Sequence, residues 1–339
     1  MRTRVGAAQL AGALVGLVVL AGIVLYLLPS NDYILLPDVA HPVAPLVRVQ
    51  GAHPAKGPGG IYFVDVFERR ASMLESLFPF IRSGATLVPA GEIVPPGSDA
   101  QQVRRADLRE MSLSQRIAAA VALRRLGYKV KAAPDGVIVN IVEIGSHAIG
   151  KLQPTDVIVS ANGRATPTIA SLEHVLARFH PGATVVLGVE RGGAKVSYRI
   201  RTIADPLDPR RAIIGFSPDQ AANIELPIRV QIDAGNVGGP SAGLAFTLQV
   251  MEALGKNVDR GYRVAATGTI ALDGSVGAIG GIEQKTIGVR RAHADVFLVP
   301  VAGDNAADAK RYAHGLRIIP VKSFPQALHA LATLPQKRQ

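Results

Sequence analysis

The chain has 339 residues, a net charge of +11 and no cysteine. It has room for roughly two domains of ordinary size, and disulfides, thiol nucleophiles and cysteine-ligated metals are excluded. Aromatic residues make up 5%, Trp is absent, and Lys and Arg are spread without a long run, which speaks against nucleic-acid binding and for a solvated basic surface near anionic lipid.

From Val5 to Leu28 the chain carries no charge and only one polar side chain, Gln9. As a helix, roughly two dozen such residues span the hydrocarbon core of a bilayer. Arg2 and Arg4 precede the run, and the next Lys or Arg is Arg48. By the positive-inside rule the N-terminus is then cytoplasmic and the later domains extracytoplasmic, so a single-pass cell-membrane protein with the lipid bilayer as a partner is expected. A cleaved signal peptide is disfavoured by the length of the run and by its flank, Leu27-Leu28-Pro29-Ser30, which lacks a small-x-small cleavage site.

Two strand candidates follow, Leu46 to Gln50 and Ile61 to Phe67, joined by a Gly/Pro-rich stretch that suggests a hairpin. A loop over Pro89 to Gly97 precedes a helix candidate from Ser112 to Leu126, which puts Leu113, Ile117 and Val121 on one face and ends at Gly127. Residues 30–126 read as a connector region with no chemistry of their own.

From Gly136 short apolar strands alternate with turns: Val137 to Val142, then Val157 to Ser160 leading into Asn162-Gly163. A helix is predicted from Thr168 to Phe179, and strands from Thr184 to Glu190 and Lys195 to Thr202. The run Ser146-His147-Ala148-Ile149-Gly150-Lys151-Leu152-Gln153-Pro154-Thr155-Asp156-Val157-Ile158 and the following Asn162-Gly163 resemble a bacterial PDZ domain over residues 127–202. Thr155 stands where such domains usually have glycine. The resemblance implies capture of an extended peptide by strand addition at a sheet edge, with Gly127-Tyr128 near the binding loop. His147 and His174 lack partners at metal-ligand spacing and read as surface residues, so no metal and no cofactor is expected.

The stretch Asp233-Ala234-Gly235-Asn236-Val237-Gly238-Gly239-Pro240-Ser241-Ala242-Gly243-Leu244 leads into a mostly apolar run ending at Gly255. Ser241 therefore sits at a helix start, where free N–H groups and the positive end of the dipole could receive an oxyanion. As an alternative it is an ordinary N-cap. A phosphate loop is excluded because no Gly-x-x-x-x-Gly-Lys-Ser/Thr pattern occurs. Downstream, Ile282, Val289 and Ala292 form an apolar stripe at helical spacing, and Lys285 falls on it. Snorkelling at the stripe's edge and service as a base are both open.

The two sites together resemble the proteolytic domain of the Lon family, which works by a serine–lysine dyad. The matching residues are Gly239-Pro240-Ser241-Ala242-Gly243, Thr267-Gly268-Thr269-Ile270, Gly274, Ile279-Gly280-Gly281, Lys285 and Val296-Phe297-Leu298-Val299-Pro300. The resemblance implies Ser241 as nucleophile, Lys285 as general base and Thr267 as a hydroxyl that orients the lysine. Many relatives carry an acid where this chain has Gly238, and no ATPase module accompanies the domain.

The order of segments is similar to membrane-tethered PDZ–Lon-like peptidases of bacteria. It implies an α+β protein made of an N-terminal transmembrane helix, a PDZ-like β-rich domain and a Lon-type α/β proteolytic domain, with boundaries at 1–29, 30–126, 127–204 and 205–339. The expected activity is ATP-independent serine endopeptidase action on unfolded or membrane-protein polypeptides, recruited by the PDZ domain. A homo-oligomer is left open. The alternative is a catalytically inactive, membrane-anchored PDZ scaffold.

Overall fold

The structure, a computed structural model, describes residues 7–54, 57–94 and 99–337, with side chains given from residue 11 onward. The charge-free run forms a helix, Ala7–Leu27. Among the described residues, however, no helix is long and apolar enough to cross a membrane. This overturns the transmembrane anchor and the single-pass location. Arg2 and Arg4, on which the orientation rests, lie outside the described residues.

After this helix, Pro29–Pro37 is the middle strand of a three-stranded antiparallel sheet, flanked by Val66–Ser72 and Thr86–Pro89. The predicted strand Ile61 to Phe67 divides at Val64-Asp65, because Gly60–Phe63 and Val66–Ser72 belong to different sheets. The predicted hairpin is absent for the same reason: Val47–Val49 pairs instead with Val230–Ile232. The predicted loop from Pro89 opens with a short helix, Ala90–Ile93, and residues 95–98 lie outside the described residues.

The long helix is Ala100–Arg125, about three turns longer at its start than the apolar pattern predicts. Asp99 and Gln102 close it with a reciprocal capping box, which satisfies two backbone donors at once. Leu126 is its C-cap, and Gly127 follows at φ 87°.

The PDZ segment folds close to its sequence pattern. Its sheet runs in the order Ala194–Arg201, Thr184–Arg191, Val157–Ala161, Lys131–Val142 and Phe216–Glu225, with the short strand Arg164–Ala165 beside Val157–Ala161. Asn162 and Gly163 make the tight turn between those two with φ of 47° and 74°, the left-handed pair that a two-residue hairpin requires. The helix Ile169–Leu176 starts at Thr168, whose hydroxyl accepts from the Ser171 amide. Thr155 adopts φ 79°, which accounts for the glycine usually found there. The last strand, Phe216–Glu225, lies outside the predicted PDZ boundary, yet it pairs with Lys131–Val142 along its whole length.

A five-stranded sheet carries the rest: His41–Pro42, Gly60–Phe63, Arg263–Ala266, Val296–Pro300 and Arg317–Val321, parallel except for the first. Its central strand Val296–Pro300 is buried throughout and residues 264–266 beside it likewise, as the interior of a covered parallel sheet demands. Val264, Ala266, Val296 and Leu298 pack with Leu244, Phe246 and Leu248 of helix Gly243–Ala253 and with Ala118, Ala122 and Leu123 of the long helix. Ala265, Phe297 and Val299 pack on the opposite face with Val289 of helix Ile282–Arg291 and Ala309 of helix Asn305–Tyr312. Residues from the predicted connector thus supply two sheet strands and a core helix to this layer, so its core is drawn from both sides of the PDZ segment.

Candidate active site

Ser241 lies in the turn just before helix Gly243–Ala253 and Lys285 on helix Ile282–Arg291, and these two helices pack on opposite faces of the five-stranded sheet. The two residues can meet only beyond a strand end, and that end is the C-terminus of Arg263–Ala266. Thr267 Oγ1 and Gly268 N–H donate to the Ser241 carbonyl at 3.2 and 2.8 Å, which pins the serine's backbone to the strand end. Gly268 takes φ 143° there. The long helix holds the other side: Asp107 carbonyl accepts from Gly239 N–H at 2.9 Å, and Ser114 Oγ donates to the Pro240 carbonyl at 3.0 Å.

Ser241 is not the helix cap. The N-cap of Gly243–Ala253 is Ala242, and no side chain caps this helix. The Ser241 hydroxyl instead accepts a 2.7 Å hydrogen bond from Lys285 Nζ. Among the described residues the N–H groups of Ser241 and Ala242 donate to no protein acceptor, while Gly243 and Leu244 donate to Pro240 and Gly268 carbonyls. Two donors therefore remain beside the hydroxyl.

Lys285 is 4% exposed, so its amine does not snorkel to the surface. Burial lowers its pKa from 10.5 to about 8, against the pull of the Asp65 carboxylate, which favours the ammonium. Keeping this lysine therefore weakens the fold. Its penalty is complete below about pH 8 and fades as pH rises toward 10.5. Lys285→Met should raise stability by about 2 kcal/mol at pH 7, after loss of the serine contact is offset against roughly 3 kcal/mol of relieved desolvation. The gain should shrink toward pH 10, as read by denaturant unfolding at several pH values.

Thr267 is fully buried, and its recorded hydroxyl bond goes to the serine carbonyl rather than to the lysine amine. Gly238 also has a steric reason. A Cβ there would lie 2.7 Å from Asp107 Cβ and 3.1 Å from an Arg104 nitrogen, so the long helix occupies the space an acid would need.

Asp65 carries no motif, and its one sequence signal is an acid inside an otherwise apolar run. Burial, followed by the Asp38 charge, raises its pKa, and its Oδ1 is buried without a hydrogen-bond partner among the described residues. Asp38, His41 and Asp65 hold ligand-type atoms within 4.8 Å of one another, the arrangement here best suited to a cation. His147 and His174 lie exposed and away from this group.

Comparison with known proteins agrees with this division. Residues 208–333 match the family described as the Lon protease (S16) C-terminal proteolytic domain, and residues 124–202 match the PDZ domain. The Lon protease of Chloroflexus aggregans is 33% identical over 132 residues, 37% of this chain and 16% of that protein. The Lon protease of Malacoplasma penetrans is 38% identical over 97 residues, 28% of this chain and 12% of that protein. The match therefore spans well under a quarter of either relative. The solved PDZ domain of an SdrC-like protein from Listeria monocytogenes aligns over 25% of this chain and 87% of its own, at 24% identity and a TM-score of 0.23, a likeness too slight to carry an argument.

Proposed function

We propose that this chain, which carries a PDZ domain and a Lon-type proteolytic domain, is a serine endopeptidase with Ser241 as nucleophile and Lys285 as general base. The observation that carries the reading is the 2.7 Å contact between Lys285 Nζ and Ser241 Oγ with the amine buried. Neutral Lys285 takes the hydroxyl proton as Oγ attacks a peptide carbonyl carbon. The oxyanion that forms faces the free N–H groups of Ser241 and Ala242. The resulting ammonium protonates the leaving amine, and water then clears the acyl-enzyme by the same route reversed. Thr267 sets the serine carbonyl and acts on the reaction only through that placement. None of these steps draws on a nucleotide, so hydrolysis proceeds without ATP on chains that arrive unfolded.

The PDZ domain recruits such polypeptides by strand addition. The test is a pH profile of peptide cleavage joined to labelling with a fluorophosphonate probe. Because the base is the neutral amine and burial lowers its pKa to about 8, kcat/KM should rise roughly tenfold per pH unit below 8 and level off above it. A rate flat from pH 6 to 9 would remove the lysine from the role of base, and labelling without cleavage of any peptide would remove the peptidase reading.

A further inference from the structure

A cleft of about 840 Å³ lies between the long helix and the face of the PDZ sheet turned away from the PDZ core. Leu113 and Ile117 of the helix form one wall and Ile138 and Asn140 of the sheet the other, while Pro240, Thr269 and Ile270 close an end. Ser241 follows Pro240 directly, so the cleft ends at the dyad loop.

Its charge runs against that of the whole chain. The protein has 37 Lys and Arg against 26 Asp and Glu, yet five carboxylates line the cleft, from Glu110, Asp135, Glu190, Asp219 and Asp273, against two guanidiniums, from Arg109 and Arg116. Both arginines are already engaged. Arg109 Nη1 donates to the Thr155 carbonyl at 2.9 Å and also to its hydroxyl, and Arg116 Nη2 donates to the Ile224 carbonyl at 3.1 Å. Glu190 pairs with Lys195 at 3.5 Å; among the described residues Glu110, Asp135, Asp219 and Asp273 form no ion pair. Glu110 is half-buried in this wall. Burial and the neighbouring Asp107 and Asp219 charges push it up to about 7, the behaviour of an acid short of a counter-charge.

We infer that this cleft is the path of the substrate chain, and that it takes an extended polypeptide stretch presenting Lys or Arg side chains to Glu110 and Asp219 and apolar ones to Leu113, Ile117 and Ile270. This inference rests on the peptidase reading for its consequence and deepens it by naming the substrate class. Charge complementarity selects the occupant, and continuity with the Pro240 end sets its direction toward Ser241.

The experiment uses the full chain carrying Ser241→Ala and three labelled unstructured peptides that differ only in Lys, Gln or Glu at the charged positions. Fluorescence anisotropy should show the Lys peptide binding about tenfold tighter than the Glu peptide, the scale of one charge-assisted contact. Adding Glu110→Gln and Asp219→Asn should bring the two within about twofold of each other. Equal binding of Lys and Glu peptides, or a preference that survives both substitutions, overturns the inference.

Because the chain has no cysteine, a photo-crosslinker can also be placed at a single Asn140→Cys. The Lys peptide should crosslink there and not at an exposed Lys310→Cys outside the cleft. Equal yields at both positions, or none at 140, overturn the inference even where the carboxylate variants fold poorly. Chain with Ser241 intact separates the two claims. Binding in the cleft without cleavage removes the peptidase reading alone, whereas cleavage without charge preference removes the cleft alone.

Discussion

Ser241→Ala is expected to abolish peptide cleavage, lowering kcat by about 10⁴- to 10⁶-fold while leaving KM and thermal stability near their starting values. The hydroxyl's recorded side-chain hydrogen bond is the one from Lys285, and helix Gly243–Ala253 takes no cap from it, so little folding energy is lost. Lys285→Ala should remove a comparable amount of activity. The double variant should be no worse than either single one, because attack and proton removal are one event and its stabilisation is lost once. Losses that multiply in the double variant, or a folded Lys285→Ala chain with normal turnover, would dissolve the dyad. Kinetics of all three variants with one fluorogenic peptide, beside their unfolding curves, decides the matter.

The second large effect is expected at Gly288, one turn beyond Lys285 on the same helix. A Cβ built there would fall far inside van der Waals contact of the Asp38 carbonyl oxygen, which is backbone and cannot swing aside. Ala40 N–H donates to the Gly288 carbonyl at 3.4 Å, and this fixes the same approach. Gly288→Ala must therefore move the helix off the connecting residues 38–40. Such overpacking costs about 3 kcal/mol, and a 1 Å displacement of Lys285 should lower kcat/KM by about 100-fold. Gly280→Ala is the control, since nothing lies within 4 Å of its Cβ and its φ is not left-handed. A Gly288→Ala chain that melts and cleaves like the parent would mean the helix is not clamped there.

Most of the PDZ segment was legible in the sequence because its hairpins are local, whereas strand Phe216–Glu225, whose partner Lys131–Val142 is distant in sequence, was not. Hairpins such as Asn162-Gly163 announce themselves within a few residues, and the Thr168 cap does the same for its helix. Ser241 and Lys285 were legible as out-of-place residues, a serine behind glycines and a lysine on an apolar stripe. The role of residues 47–126 was not legible. Strand Gly60–Phe63 pairs with Arg263–Ala266, and no local pattern says which distant strand a parallel edge will find. The first half of the long helix was hidden as well, since its side chains are mostly polar and its start is written in Asp99 and Gln102 rather than in a stripe. Asp65 and Asp107 approach the dyad only through tertiary packing, so neither could be found by spacing. The membrane span read from the apolar run was overturned, since among the described residues no helix is long and apolar enough to cross a membrane.

The pairing of Lys131 with Glu225 at the open end of the PDZ sheet bears on how the protein is born. Entry to and exit from that domain are cross-strand neighbours, so once folded it is a loop of almost no span. Its hairpins are short in sequence and form early, whereas strand Gly60–Phe63 waits for a partner roughly two hundred residues later, a closure whose entropy grows only slowly with length. A chain emerging at 5–20 residues per second would complete the PDZ domain first and shorten that closure before it is attempted. Ser241 emerges after the PDZ domain is complete but before strand Arg263–Ala266 and Lys285. In the proposed mechanism, hydrolytic competence therefore arrives late in synthesis, after the PDZ domain has folded.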